Sequence, residues 1–288
     1  MEKRSYRDGV DLSIIGFGGM ALLGMEQRDC DAIVAESVDA GVNYFDVAPS
    51  YGDGEAEVKL GRALAPFRSK VFLACKTFAR GAAAAGQELD HSLRRLSTEC
   101  LDLYQFHAVI KVSEVERIFG PGGAVEAVSR ARERGKVRFV GFSAHSVEAA
   151  LAMMDRMRFD SVLFPVNFVL YARGDFGPRV LEKARELNVA RLAVKAMALG
   201  PWSRHENRDF PNCWYSPAVD PGLARQAFRF ALSEDVTAVL PPGDPRLFRM
   251  ALGFARDYVP MSATERAALL ASAAGFRPLF PSRRRESS

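Results

Sequence analysis

A run of β-forming residues followed by a stretch with helical periodicity, repeated without a break in composition, most narrows the folds open to this chain. The β-type runs fall at residues 14–18, 42–45, 71–76, 101–107, 137–142, 161–166, 191–196 and 237–240. Helix-patterned stretches separate or follow them near residues 29–40, 55–64, 87–96, 125–134, 147–157, 178–187, 221–232 and 245–258. Parallel neighbours need a crossover of about a dozen residues or more, usually a helix, so this rhythm predicts parallel pairing. Eight such units predict closure into a (β/α)8 TIM barrel of the α/β class. Residues 4–15 read as a short N-terminal β-hairpin turned at Asp8-Gly9, and residues 262–274 as an extra C-terminal helix across the barrel outside. The segments around 120–123 and 201–221 read as long loops at one rim rather than linkers, which leaves a single domain over residues 1–288. Residues 275–288, with Arg283-Arg284-Arg285, read as a flexible, solvated tail.

Three consecutive strands end in chemically active side chains. Asp46 and Tyr51 follow the strand of Tyr44 on a loop broken by Pro49, Gly52 and Gly54; Lys76 closes VFLAC; His107 closes LDLYQF. In a parallel barrel these ends share one rim. Such a quartet can hand a proton to a carbonyl oxygen. A free phenol, with a pKa of about 10, needs a nearby cation to act as an acid near neutrality, and Lys76 can supply it. Asp46 would hold that ammonium, and a neutral His107 could donate to the oxygen being reduced. No amino acid supplies the matching hydride, so a reduced cofactor is implied.

Other function classes find little support. A net charge of +4 spread along the chain gives no electrostatic case for nucleic acid or membrane. No apolar run approaches the ~20 residues of a membrane span, and the N-terminus lacks the apolar core of a secretory signal. Cys30, Cys75, Cys100 and Cys213 show no C-x-x-C spacing, so no metal or disulfide framework is expected, and a reducing cytoplasm fits. Cys75 alternates with Lys76 along the strand and should face the other way, as a buried thiol. Gly16, Gly18 and Ala21 form G-x-G-x-x-A, the string of a dinucleotide-binding turn, but no helix pattern begins inside it, which favours the barrel.

FDVAPSYG, ACK, YQFH, GFSAHS and VLPPG together resemble the aldo-keto reductase superfamily, over a stretch from about Gly16 to the helix after Gly243. The resemblance implies an NADPH-dependent reductase of aldehydes or ketones, reversible, with NADH as a possible substitute. Tyr51 would be the proton donor, Lys76 and Asp46 would tune it, and His107 would align the oxygen. It further implies cofactor contacts from Gly19, Met20, Asp46, Ser143, Asn167, Val194, Lys195, Pro242 and Gly243. Arg246 and Arg249 would lie at the adenosine 2′-phosphate, and the turn before the 245–258 helix would seat phosphate. Trp202, Trp214 and Tyr215, with Tyr51 and His107, would wall a small-molecule carbonyl substrate, and Arg204, His205 and Arg208 could favour an acidic one. A monomer or weak homo-oligomer is expected.

The chain also departs from the pattern. Ala144, Leu163 and Val194 replace groups that commonly hold or stack on nicotinamide, Leu252-Gly253 replaces a Glu-Asn that holds adenine, and Asp244 brings negative charge to the phosphate turn. Lys195 and Met197 are similar to a bacterial subgroup whose seventh strand ends in a Met-Lys-Pro-like run. These departures keep two alternatives open: a nucleotide-binding regulatory or scaffold barrel with little turnover, and a redox-neutral lyase or isomerase using transient hydride transfer. His145 is a further rim candidate with no partner visible in the sequence.

Overall fold

The computed structural model describes residues 1–174, 176–204 and 207–280. Strands β1 (Lys3–Arg7) and β2 (Val10–Ser13) form an antiparallel hairpin. The barrel strands then begin with β3 (Phe17–Gly18), followed by α1 (Gln27–Asp39), β4 (Tyr44–Asp46), α2 (Glu55–Leu64), β5 (Phe72–Thr77), α3 (Ala82–Arg95) and β6 (Leu101–Val109). Next come α4 (Val112–Phe119), α5 (Ala124–Glu133), β7 (Val137–Ala144), α6 (Val147–Arg156), β8 (Ser161–Pro165), α7 (Phe168–Gly174), α8 (Pro178–Glu186) and β9 (Ala190–Val194). The chain continues through β10 (Ala198–Gly200), β11 (Ser216–Pro217), α9 (Pro221–Ser233), β12 (Ala238–Leu240), α10 (Pro245–Arg256) and α11 (Ala263–Ser272). Eight strands pair in parallel in the order β12-β9-β8-β7-β6-β5-β4-β3. The sheet closes through a parallel bridge between Ile15 and Val239, where Gly16 N–H donates to Val239 O at 2.9 Å. The predicted (β/α)8 barrel, N-terminal hairpin and C-terminal helix are all present.

Period-two alternation sorts the strand residues between two apolar layers. Tyr44, Phe72, Ala74, Leu103, Phe139, Leu163, Leu192 and Leu240 fill the barrel interior. Phe45, Leu73, Cys75, Tyr104, Phe106 and Phe142 pack outward against the helices. The hairpin plugs one end, where the Tyr6 ring sits 5.0 Å from Phe72 and 5.4 Å from Phe139 and its hydroxyl donates to Ser161 Oγ at 3.0 Å. The same alternation carries upward. Asp46 follows Tyr44 by two, Lys76 follows Ala74 by two, and Gln105 and His107 follow Leu103, so all point inward at the opposite end.

Three elements differ from the sequence expectation. The segment between His107 and Gly120 contains α4, nucleated where the Glu114 carboxylate accepts from Ile110 N and Lys111 N, both at 2.9 Å. Helix α7 follows Asn167, whose Oδ1 caps it by accepting from Leu170 N at 2.9 Å. α3 starts about a turn earlier than its charged face suggested, because an alanine run with high helix propensity precedes that face. α11 packs on α7 and α9 through Leu269, Phe168 and Phe230. Residues 276–280, read as part of a solvated tail, are instead packed: Phe276 meets Phe168 at 5.8 Å and Phe280 stacks on Phe176 at 5.2 Å. Arg283, Arg284 and Arg285 lie outside the described residues. Among the described residues no helix is long and apolar enough to cross a membrane, and no group of three or more His, Cys, Asp or Glu could hold a metal ion. The four cysteines are free.

Candidate active site

At the rim, Lys76 Nζ bonds three oxygens. It forms an ion pair with Asp46 Oδ1, donates to Val47 O at 3.0 Å, and approaches the Tyr51 hydroxyl at 3.4 Å. Lys76 and Asp46 are 1% and 2% exposed, so each charge depends on the other. The second carboxylate oxygen of Asp46 accepts from Tyr44 Oη at 3.2 Å and from Gln105 Nε2 at 3.0 Å. Tyr44 and Gln105 are thus positioning residues that motif reading missed. The available signal was the inward period of their strands.

Tyr51 is placed by its turn. Gly52, Asp53 and Gly54 are all left-handed, at φ of 61°, 51° and 91°, a run that favours glycine at its ends. Tyr51 N–H donates to Ala48 O at 3.1 Å, and the side chain folds back over the barrel mouth with the Lys76 ammonium 5.1 Å from its ring centroid. His107 meets Tyr51 edge-on at 6.0 Å and lies against Phe78 at 4.1 Å. Arg80 ties down the His107 carbonyl at 2.7 Å, while His107 Nδ1 is buried with no hydrogen-bond partner among the described residues.

The electrostatics follow from this packing. Burial works against the Lys76 ammonium, but Asp46 and then Tyr51 more than offset it, holding its pKa above the ordinary range. Burial raises the Tyr51 pKa by more than Lys76 lowers it, so the phenol keeps its proton near neutrality. Sequence reasoning had emphasised the cation alone; the desolvation that dominates comes from the tertiary fold. His107 is pushed well below the usual imidazole range by burial, then by Lys76, His145, Lys195 and Arg80, and is therefore neutral. Cys75 faces away, its thiol 3.4 Å from the Glu57 carboxylate, and burial pushes its pKa well up.

The remaining expected residues divide into two groups. On the tetrad side, Lys195 reaches His145, with Nζ 2.9 Å from Nε2, and lies over Trp214; Tyr215 meets Trp214 edge-on at 5.5 Å. Val194 is half-buried at the top of the barrel interior beside Leu163. Ser143 Oγ accepts from Ala108 N at 2.7 Å, and Asn167 donates to Lys195 O at 3.2 Å while capping α7. On the other side, a Cβ on Gly19 would come within 2.8 Å of Val47, and one on Gly243 within 2.7 Å of Met20, so the backbone packs too closely at both positions for a side chain to fit without a shift. Asn212 Nδ2 ties Met20 O at 3.2 Å, and Pro242 O accepts from Asp244 N at 2.9 Å.

Neither arginine expected at the 2′-phosphate is free. Arg246 Nη2 pairs with Asp244 at 2.9 Å and Arg249 Nε with Glu36 at 2.8 Å. Asp244 also caps α10 by accepting from Arg246 N at 2.9 Å, so a carboxylate already occupies the helix N-terminus expected to seat phosphate. Trp202 bonds Cys213 O at 2.7 Å, which anchors its loop, and Arg204 and Arg208 are exposed. His205 lies outside the described residues. Sequence reasoning missed the exposed Phe78 against His107.

Residues 14–220 match the model of the Aldo/keto reductase family. The chain is 27% identical over 220 residues to "Aldo-keto reductase YhdN" of Bacillus subtilis (strain 168), covering 69% of this chain and 63% of that protein. It is 26% identical over 180 residues to "L-galactose dehydrogenase" of Arabidopsis thaliana, covering 58% of this chain and 56% of that one. The chain therefore spans less than two-thirds of the length of these curated relatives. Among solved structures, the holo form of aldo-keto reductase AKR11C1 from Bacillus halodurans superposes with a TM-score of 0.76 at 22% identity, covering 99% of this chain and 100% of that chain. An aldo-keto reductase from Klebsiella pneumoniae in complex with NADPH gives 0.72 at 22% identity, covering 100% and 98%. At such identities the likeness establishes the fold.

Proposed function

The chain belongs to the aldo/keto reductase family, and from that premise we propose that it is an NAD(P)H-dependent oxidoreductase that reduces aldehydes or ketones to alcohols, reversibly. The observation that carries this reading is the Lys76 ammonium, bound at once by Asp46 and by the hydroxyl of Tyr51. Tyr51 is the proton donor. Its phenol stays protonated in the resting site, and the charge left after transfer falls beside Lys76, where the low local dielectric strengthens the attraction. Asp46, braced by Tyr44 and Gln105, keeps that ammonium charged and aimed. His107, neutral and close to Tyr51, donates a hydrogen bond to the carbonyl oxygen.

The bound cofactor supplies the hydride. The residues fit a nicotinamide nucleotide at the tetrad, where a protonated phenol and a neutral imidazole whose Nδ1 has no hydrogen-bond partner among the described residues converge, and along the backbone of Gly19, Met20, Pro242 and Gly243. Ser143, Asn167 and Val194 complete the nicotinamide side of the site in this reading. Arg246 and Arg249 turn to the nucleotide's phosphates only by leaving Asp244 and Glu36. We take NADPH as the cofactor, with NADH as a weaker substitute, and place the reaction in the cytoplasm.

The test is NADPH and NADH consumption against aldehydes, ketones, keto acids and sugars, with Tyr51→Phe in parallel. General acid catalysis contributes roughly 10²- to 10⁴-fold, so turnover in Tyr51→Phe should fall by about that much while nucleotide binding persists. Wild-type turnover in that variant overturns the assignment. Ala144, Leu163 and Val194, standing where groups that hold or stack on nicotinamide are common, favour a second reading, a nucleotide-binding protein with little turnover, which would bind NADPH and consume none with any carbonyl compound.

A further inference from the structure

Lys195 is a buried lysine on the same rim with no counter-charge among the described residues. It is 4% exposed, and its Nζ has His145 Nε2 at 2.9 Å as partner. The rings of Trp214 and Phe280 cover it, with centroids 5.3 and 5.8 Å from Nζ. Burial, reinforced by Lys195, holds His145 well below the usual imidazole range, so the ring is neutral and accepts from the ammonium without cancelling its charge. Desolvation, then repulsion from Lys76, pushes Lys195 itself down to about 7.

The backbone is also held in an unfavourable state to place this group. Lys195 is left-handed, φ 65°, a conformation that L side chains rarely adopt. Asn167 braces the turn through the Lys195 carbonyl at 3.2 Å. A methionine at this position would carry no desolvation penalty. Lys195 follows β9 at the barrel end where the parallel strands β5 and β6 deliver Lys76 and His107, and both Lys195 and His145 act electrostatically on His107. Apolar surface flanks it: Trp214 is 52% exposed and Phe78, against His107, is 47% exposed.

We propose that Lys195, supported by His145, is an anion-accepting residue that binds the acidic group of the substrate, so that the carbonyl compounds reduced here pair a carboxylate or phosphate with an apolar body. This rests on the reductase reading above and narrows its substrate class. A phosphate of the bound nucleotide is the other source of the same charge, and the experiment separates the two.

The probe is 4-carboxybenzaldehyde compared with its methyl ester, which differs mainly in charge. Wild type should favour the acid in kcat/KM by roughly tenfold to a hundredfold, the range of one hydrogen bond to a buried charged group. In Lys195→Met the ratio of acid to ester should fall to near one, and Lys195→Arg should restore part of it. An acid-to-ester ratio near one in wild type, or one unmoved in Lys195→Met, overturns the proposal. So does a loss of NADPH affinity in Lys195→Met with the ratio intact, which assigns the site to the nucleotide. If neither aldehyde is reduced by wild type, the reductase reading fails for this class, and binding still decides the anion site. Benzoate should then quench the fluorescence of Trp214 in wild type and not in Lys195→Met, with benzamide silent in both. Equal quenching by benzoate and benzamide, or none by benzoate, overturns it.

Discussion

Lys76 and Lys195 end two strands of one barrel, β5 and β9, and are 1% and 4% exposed. Their environments drive them in opposite directions. Lys76 faces Asp46 and is held above its ordinary range; Lys195 faces a neutral imidazole and two aromatic rings and is pushed down to about 7. Desolvation lowers both, so the contrast comes from the neighbouring groups: Asp46 and then Tyr51 raise Lys76, whereas Lys195 has no such partner and is lowered further by repulsion from Lys76. In the reductase reading a paired ammonium serves as a fixed internal charge that tunes Tyr51, whereas an unpaired one is held ready for a charge from outside.

The largest expected effect comes from breaking the paired member. Lys76→Met leaves Asp46 buried and unpaired, and should destabilise the fold by about 3–5 kcal/mol, read as a lower urea midpoint at unchanged m-value. Adding Asp46→Asn should recover much of this, because the amide oxygen still accepts from Tyr44 and Gln105 without a charge. No recovery would mean that the ion pair is not the source of the loss.

The complementary change gives the unpaired lysine a partner. His145→Glu brings a carboxylate to the atom now 2.9 Å away and should make Lys195 resemble Lys76. Preference for an acidic over an esterified aldehyde, about tenfold or more in wild type, should then disappear in kcat/KM assays. Retention of that preference would dissolve the comparison.

A smaller effect concerns pH. Unfolded lysine titrates near 10.4, while Lys195 in the fold titrates near 7 beside Lys76, His145 and His107. Between these values the unfolded chain binds more protons, so this group makes stability rise with pH across the window. Lys195→Met should therefore raise Tm by roughly a few degrees at pH 6, with the gain vanishing above about pH 10.4. A drop in Tm at pH 6 would show that the ammonium stabilises the fold. The smallest effect belongs to an exposed pair: Arg249→Leu, which frees Glu36 at the surface, should change stability by about 0–1 kcal/mol. A weaker NADPH affinity with NADH affinity unchanged would show that the arginine turns toward the 2′-phosphate.

Much of the site was legible because strand periodicity does not depend on context. Tyr44, Asp46, Ala74, Lys76, Leu103, Gln105 and His107 alternate with outward residues, so their strand positions place them on one inner face. Tyr51 was legible from its glycine-flanked turn. Other features were not. Asn167 carries the same side chain whether it caps α7 or meets a cofactor, and only the neighbouring Leu170 and Lys195 backbones show which bonds it makes. Arg246 and Arg249 read as phosphate ligands with Asp244 as a negative charge in the same turn, but the pairing of Arg249 with Glu36, far away in the chain, is seen only in the fold.

The strand–helix rhythm, the barrel, and the arrival of Asp, Tyr, Lys and His at one rim were determined by the sequence alone, since they follow from local propensity and period. The state of each group there was decided by the tertiary structure. Burial, which raises Tyr51 and lowers His107 and Lys195, depends on what covers a side chain. The pairing that separates Lys76 from Lys195 joins residues far apart in the chain. Desolvation and Coulomb energy depend on three-dimensional distance, which residue order does not encode locally.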